Sequence, residues 1–215
     1  YGEPKFKNLI LNKIVDLKDD GSFKLNMKYF DYATGFKMTN ENFSELFGKP
    51  VRNAETEKLT QFHMDVASSI QSVTEEIVLQ IAKSISKQSD SKNLCMAGGV
   101  ALNCVANGKI VKEKIFKNVW IQPASGDAGG ALGAALSLWH KELKNERLLP
   151  IEDKMKGSYL GPKFNNSEIE SVLKRIGATY NKLSEDAMLK ITSEELSKQK
   201  TIGWFQGRME FGPRA

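Results

Sequence analysis

Cys95-Met96-Ala97-Gly98-Gly99-Val100-Ala101-Leu102-Asn103 decides how this chain is read: an apolar run breaks into two glycines and a helical pattern starts directly after them. Without a Cβ, Gly98 and Gly99 let the backbone bend sharply and approach a ligand closely. The free N–H groups and positive dipole end of a following helix attract an anion. A nucleotide phosphate is the natural guest of such a turn. A tight strand-to-helix turn with no ligand is the plain alternative, since short glycine motifs are weak signals.

Gln122 to Leu136 repeats this grammar and adds an acid, as Gly126-Asp127-Ala128-Gly129-Gly130. Val119-Trp120-Ile121 reads as a short buried strand, and Leu132, Leu136, Trp139 and Leu143 recur at helical spacing, so Asp127 falls near a helix N-terminus. Helix capping is the ordinary role for such an acid. The flanking glycines leave space around it, which suits a carboxylate that reaches a metal ion or a nucleotide hydroxyl.

Working outward, Phe23, Leu25, Met27 and Tyr29 alternate with polar residues, which predicts a half-buried strand entered through the turn Asp19-Asp20-Gly21-Ser22. From Phe62, the residues Val66, Ile70, Val73, Ile77, Ile81 and Ile85 recur every three or four positions and predict one long amphipathic helix that covers a sheet. His63 starts that helix with no metal-type partner at i+4, so it reads as a packing or capping residue rather than a ligand. The order predicts α/β layering with both glycine turns ending strands on one side of the sheet, where open α/β sheets bind ligands. Charged residues and Pro150 predict a linker over 146–156. Beyond it lie an irregular entry (157–164), a short helix through Ile169 to Ile176, a second helix through Ala187 to Leu196, and a strand over 201–205.

Composition excludes several classes. With 40% hydrophobic and 27% charged residues, 215 residues can bury one sizeable core with a smaller unit attached. No apolar run approaches the roughly 20 residues that span a bilayer, so no membrane partner is expected. The net charge of +5 comes from lysines scattered among acids, which argues for a solvated surface rather than a nucleic-acid site. Cys95 and Cys104 read as small buried residues in a reducing, cytoplasmic setting rather than as a disulfide or a catalytic thiol.

The two glycine segments, together with Tyr1-Gly2-Glu3-Pro4, Leu46 to Arg52, His63 to Gln71, Asn107-Gly108 and Gly203 to Ala215, resemble the O-carbamoyltransferase family, which includes nodulation and antibiotic-tailoring carbamoyltransferases. The resemblance spans nearly the whole chain, and its last motif, Gly203 to Ala215, is highly specific. It implies an α/β fold: residues 1–145 as the second half of an actin/hexokinase-like (ASKHA) ATPase-type domain and, after the linker, 157–215 as the start of a YrdC-like α+β domain. It also implies an internal fragment of a longer protein, inactive by itself.

The resemblance further implies a two-step reaction, in which carbamoyl phosphate and ATP give carbamoyl adenylate and the carbamoyl group passes to a hydroxyl of a small molecule or oligosaccharide. Arg208 and Arg214 carry guanidinium forks suited to bidentate phosphate binding, with Glu210 placed to orient one of them; a surface ion-pair network is the alternative. By the same resemblance Gly98, Gly99, Val100 and Asn103 match the nucleotide-binding turn, the Asn103 amide able to hydrogen-bond a phosphate or ribose hydroxyl, and Gly126 joins these nucleotide contacts. Asp127 matches the family's metal-ligating acid, one member of a 2-His-1-carboxylate set suited to Fe(II) or a similar divalent ion. No residue is assigned as general base, and neither the acceptor nor the oligomeric state is legible. A tRNA threonylcarbamoyladenosine-type transferase and a sugar or acetate kinase share parts of this pattern but lack the 203–214 motif. A non-enzymatic nucleotide-binding module also fits the glycine turns.

Overall fold

The computed structural model describes residues 1–148 and 152–213, and these fall into two compact units, 1–122 and 123–215. The predicted linker at 146–156 lies within the second unit, with 149–151 outside the described residues.

The first unit opens with helix α1 (Lys7–Lys13), a hairpin of β1 (Val15–Leu17) and β2 (Phe23–Leu25), and helix α2 (Glu41–Phe47). The hairpin is antiparallel with Asp16 opposite Lys24, and its turn is the predicted one: Asp20 Oδ1 accepts from both the backbone N–H and the hydroxyl of Ser22. The strand is shorter than its alternation predicts. Asn26 turns its side chain onto the backbone, accepting from Lys28 N–H and donating to the Lys13 carbonyl, and Met27–Tyr29 becomes a 3₁₀ turn. Local side-chain bonding of this kind competes with strand ladders. Ile10, Ile14, Val15, Tyr29, Phe47 and Val73 form the first core. Phe6 stacks edge-on against both Phe47 and Phe62, at centroid distances of 5.4 and 5.5 Å.

The long helix is present as α3 (Gln61–Gln88). His63 takes the capping role: its Nδ1 lies 3.1 Å from Thr60 N and 2.9 Å from Thr60 Oγ1, closing the first turn. The apolar stripe is only partly the buried face. Ile70 and Ile85 are exposed, because the covered side of α3 is the one facing α1 and the later helix α4, where Asp65, Ser69, Val73 and Ala82 sit. Two of those residues are polar and both are satisfied. Ser69 Oγ donates to the Asp65 carbonyl and accepts from Phe6 N–H. Asp65 Oδ1 accepts from Glu3 N–H at 2.9 Å and from Gln61, while Oδ2 takes Lys5 Nζ at 2.9 Å. These bonds, the Glu3 backbone donor first and then Lys5 and Gln61, hold the Asp65 carboxyl down at about 2. The segment 1–5 is thereby strapped across the start of α3.

Strands β3 (Asn93–Met96) and β4 (Asn118–Ile121) pair in parallel, Met96 beside Ile121, so their C-terminal ends lie side by side as predicted. Helix α4 (Cys104–Lys112) crosses between them. Ile110, Ala82 and Phe116 form a second core with Leu94, Met96 and Val119, through which α3 covers the sheet. The sheet has two strands, so β4 is not the buried strand predicted and Trp120 is exposed. Cys95 and Cys104 are both free and exposed rather than buried, for the same lack of a covering layer.

In the second unit, helix α5 (Asp127–Ser137) runs into a π-helical turn over Leu138–Glu142. Helix α6 (Asn166–Arg175) starts at a capping box between Asn165 and Glu168, and α7 (Glu185–Ser197) is capped by Ser184. Residues 201–205 do not form the predicted strand. The extended pairing comes later, as an antiparallel bridge of Arg208 with Lys163 flanked by Met209 N–H to Pro162 O and Phe211 N–H to Ser158 O. The described residues form a mixed α/β arrangement with two small sheets.

Candidate functional site

The first glycine turn sits at the C-terminal end of β3. Gly98 has φ +102° and ψ 159°, a region open essentially to glycine alone. A Cβ built on Gly98 or on Gly99 meets no atom within 4 Å, so both glycines face open space of the kind a ligand's phosphate would fill. The helix does not follow directly as expected. A 3₁₀ turn, Gly99–Leu102, intervenes because Asn103 caps α4 one turn further on.

Asn103 is held rather than loose. Its Oδ1 accepts from Ala106 N–H and from Gln71 Nε2, both at 3.1 Å, and its Nδ2 donates to Gln71 Oε1 at 2.9 Å. Gln71 Nε2 also donates to Glu75 Oε1 at 2.8 Å, and the other oxygen of Glu75 is paired with Lys109. Burial of Glu75 raises its carboxyl, but the hydrogen bonds from Lys109 and Gln71 outweigh that and leave it below the usual carboxylate range. One turn along α4, the buried Asn107 donates from Nδ2 to the Ala101 carbonyl at 2.7 Å, holding the middle of the 3₁₀ turn. The sequence reading found Asn103 but not Gln71, Glu75 or Lys109. Their partners stand 32 and 34 residues away, and the one available signal was that polar residues interrupt the apolar face of α3.

The second glycine segment belongs to the second unit. Gly126 is the N-cap of α5 and Asp127 its first residue, exposed and without a hydrogen-bond partner among the described residues. Gly129 is required by packing: a Cβ there would stand 1.9 Å from the Ala124 carbonyl oxygen. Gly126, Gly130 and Gly133 face open space. Among the described residues no three His, Cys, Asp or Glu side chains converge to hold a metal ion. The donor chemistry of Asp127 therefore fits one ligand of a wider set and does not form a site by itself.

In the third element, Arg208 is exposed and its Nη1 donates to the Gly161 carbonyl at 2.7 Å. That bond orients the guanidinium, in place of the expected Glu210: among the described residues Glu210 makes no ion pair with Arg208. Gly207, at φ +68°, turns the chain just before the pairing with 158–163. Arg214 lies outside the described residues.

Residues 1–136 match the family profile described as Carbamoyltransferase N-terminus. Among curated proteins, the whole chain aligns with an uncharacterized protein of Synechocystis sp. at 55% identity, over 35% of that protein's length. It aligns with nodulation protein NolNO of Sinorhizobium fredii at 32% identity, over 29% of its length. Nodulation protein NolO of Bradyrhizobium diazoefficiens is 31% identical to it, over 36% of its length. The chain thus spans about a third of the length of these relatives.

Proposed function

We propose, from the premise that this chain belongs to the carbamoyltransferase family, that it contributes the nucleotide-binding turn of an ATP-dependent O-carbamoyltransferase. The observation that carries this reading is the turn itself: two glycines at the end of a parallel strand, one in a glycine-only conformation, both with open space where a Cβ would stand. Backbone N–H groups in such a turn cradle an anion without needing side-chain charge. On this reading residues 1–145 belong to an actin/hexokinase-like domain and 157–215 to a YrdC-like one.

The reaction has two stages. Carbamoyl phosphate, water and ATP yield carbamoyl adenylate, phosphate and pyrophosphate, the new bond joining a carbamate oxygen to the α-phosphorus as pyrophosphate leaves. The acceptor's hydroxyl oxygen then attacks the carbamoyl carbon, AMP departs with the bonding pair, and the hydroxyl proton is lost. Gly98 and Gly99 admit the adenylate phosphate at hydrogen-bond distance, with Val100 as a further backbone contact. Arg208 offers the remaining N–H groups of its fork to the phosphate of carbamoyl phosphate, Gly161 holding the fork still, and Arg214 and Glu210 belong to the same motif. Asp127 would supply one carboxylate to a divalent cation, Fe(II) by the chemistry of a histidine and carboxylate set, whose charge would offset that of phosphate.

The test is carbamoyl transfer by the full-length protein from labelled carbamoyl phosphate to a panel of aminoglycoside and lipo-oligosaccharide hydroxyl acceptors, with and without ATP. Labelled product that forms only with ATP supports the reading. Product formed equally without ATP, or ADP formed from ATP and a sugar or acetate instead, removes it.

A further inference from the structure

The contacts beneath the glycine turn have a direction. Glu75, ionised and paired with Lys109, can only accept hydrogen bonds, so Gln71 must turn its NH₂ group toward it. That leaves Gln71 Oε1 to accept from Asn103 Nδ2, and Gln71 Nε2 to donate to Asn103 Oδ1. Asn103 in turn has its oxygen where the Ala106 N–H of α4 needs an acceptor. One carboxylate thus sets the orientation of two amides that could otherwise flip, and through them the start of α4. The same helix holds the Ala101 carbonyl through Asn107.

We infer that Gln71, oriented by Glu75, is a positioning residue for the Gly98–Gly99 turn, acting through the carboxamide pair with Asn103. The inference rests on the reading of that turn as a nucleotide site. Both lone pairs of Asn103 Oδ1 are occupied by Gln71 and Ala106, so the contribution of Asn103 to a ligand passes through the backbone it fixes and through the one unused N–H of Nδ2. Without Gln71 only the N-cap bond from Ala106 holds the Asn103 amide, and the 3₁₀ turn ahead of it loses its tie to α3.

The experiment is calorimetric titration of the protein with ADP for the unsubstituted chain, Gln71→Ala, Asn103→Ala, the double variant and Glu75→Gln, each with its thermal midpoint. Loss of a hydrogen-bonded pair makes Gln71→Ala and Asn103→Ala each weaken ADP by roughly tenfold. Because Gln71 acts through Asn103, the double variant is no weaker than the weaker single. Glu75→Gln keeps the shape, removes the ion pair with Lys109 and lifts the constraint on amide direction. It therefore weakens ADP by roughly a few-fold at unchanged helix content, and carries the test if Gln71→Ala does not fold. Normal ADP affinity in folded Gln71→Ala or Glu75→Gln, or additive losses in the double variant, overturns the positioning role alone. No ADP binding by the unsubstituted protein overturns the nucleotide reading and the inference with it.

Discussion

Ile110 is fully buried where α3, α4 and the β3–β4 sheet meet, while Ile70, which the sequence periodicity places on the same apolar footing, is 43% exposed. Replacing each with alanine separates the two. Ile→Ala deletes three carbons, worth about 0.8 kcal/mol each when buried. At Ile110 a cavity is left among Leu94, Met96, Phe116 and Val119, adding about 1.5 kcal/mol, and alanine's better helix propensity returns about 0.4. The expected destabilisation is about 3 to 4 kcal/mol. At Ile70 roughly half of the transfer value applies, no closed cavity forms and the same helical gain offsets part of it, which leaves about 1 kcal/mol. Urea unfolding followed by far-ultraviolet circular dichroism reads both. Equal losses for the two variants would refute the assignment of Ile110 to the centre of the core that seats the glycine turn.

Asp65, held at about 2 against an ordinary 3.8, is ionised in the folded protein before it is in the unfolded one. A lowered folded value gives stability that is present above 3.8 and lost as pH falls toward 2, so Asp65→Asn should flatten the acid limb of a midpoint-against-pH curve in that window. An unchanged limb would show that the strap does not titrate as described. Gly99→Val, which places a branched side chain in the open space of the turn, should weaken ADP by roughly tenfold or more with little change in thermal midpoint. Gly98→Ala should lower that midpoint as well, since φ +102° strains any Cβ-bearing residue; equal midpoints for the two variants would contradict the backbone geometry. In the full-length protein, Arg208→Lys keeps the charge but cannot both grip phosphate bidentately and hold the Gly161 carbonyl, so carbamoyl-phosphate-dependent ATP–pyrophosphate exchange should fall steeply. Near-normal exchange would remove Arg208 from the site. Asp127→Ala, also in the full-length protein, should lower metal content and transfer to acceptor while that exchange persists, and loss of both half-reactions together would mean that the two steps are not divided as proposed.

What the sequence reveals depends on how far each signal reaches along the chain. The helix α3, the Asp20–Ser22 turn and the strand-to-helix glycine turns are written in neighbouring residues and are legible. The end of β2 is not, because alternation over Phe23 to Tyr29 says nothing of where the Asn26 amide turns. The exposure of Trp120, Cys95 and Ile85 escapes notice for another reason: periodicity shows which residues share a face, and only the packing shows which faces are covered. The link from Gln71 to Asn103 crosses 32 residues and is made of residue types common on solvated helix surfaces. Arg208 stands out in the sequence for its planar fork, yet its partner is a main-chain carbonyl, which no side-chain pattern encodes.

The strap at the head of α3 also sets a clock. Glu3 and Lys5 bind a carboxylate that stands 62 and 60 residues later in the chain. During synthesis at ~5–20 residues per second, residues 3–5 wait about 3 to 12 s for Asp65 to be made, and longer for the ribosome to release it. Until then Tyr1 to Lys5 have no place to dock, while α1, the hairpin and α2 are already free to form behind them. The strap can close only after α1, the hairpin and α2 have been made, and residues 1–5 stay open to chemistry throughout that interval.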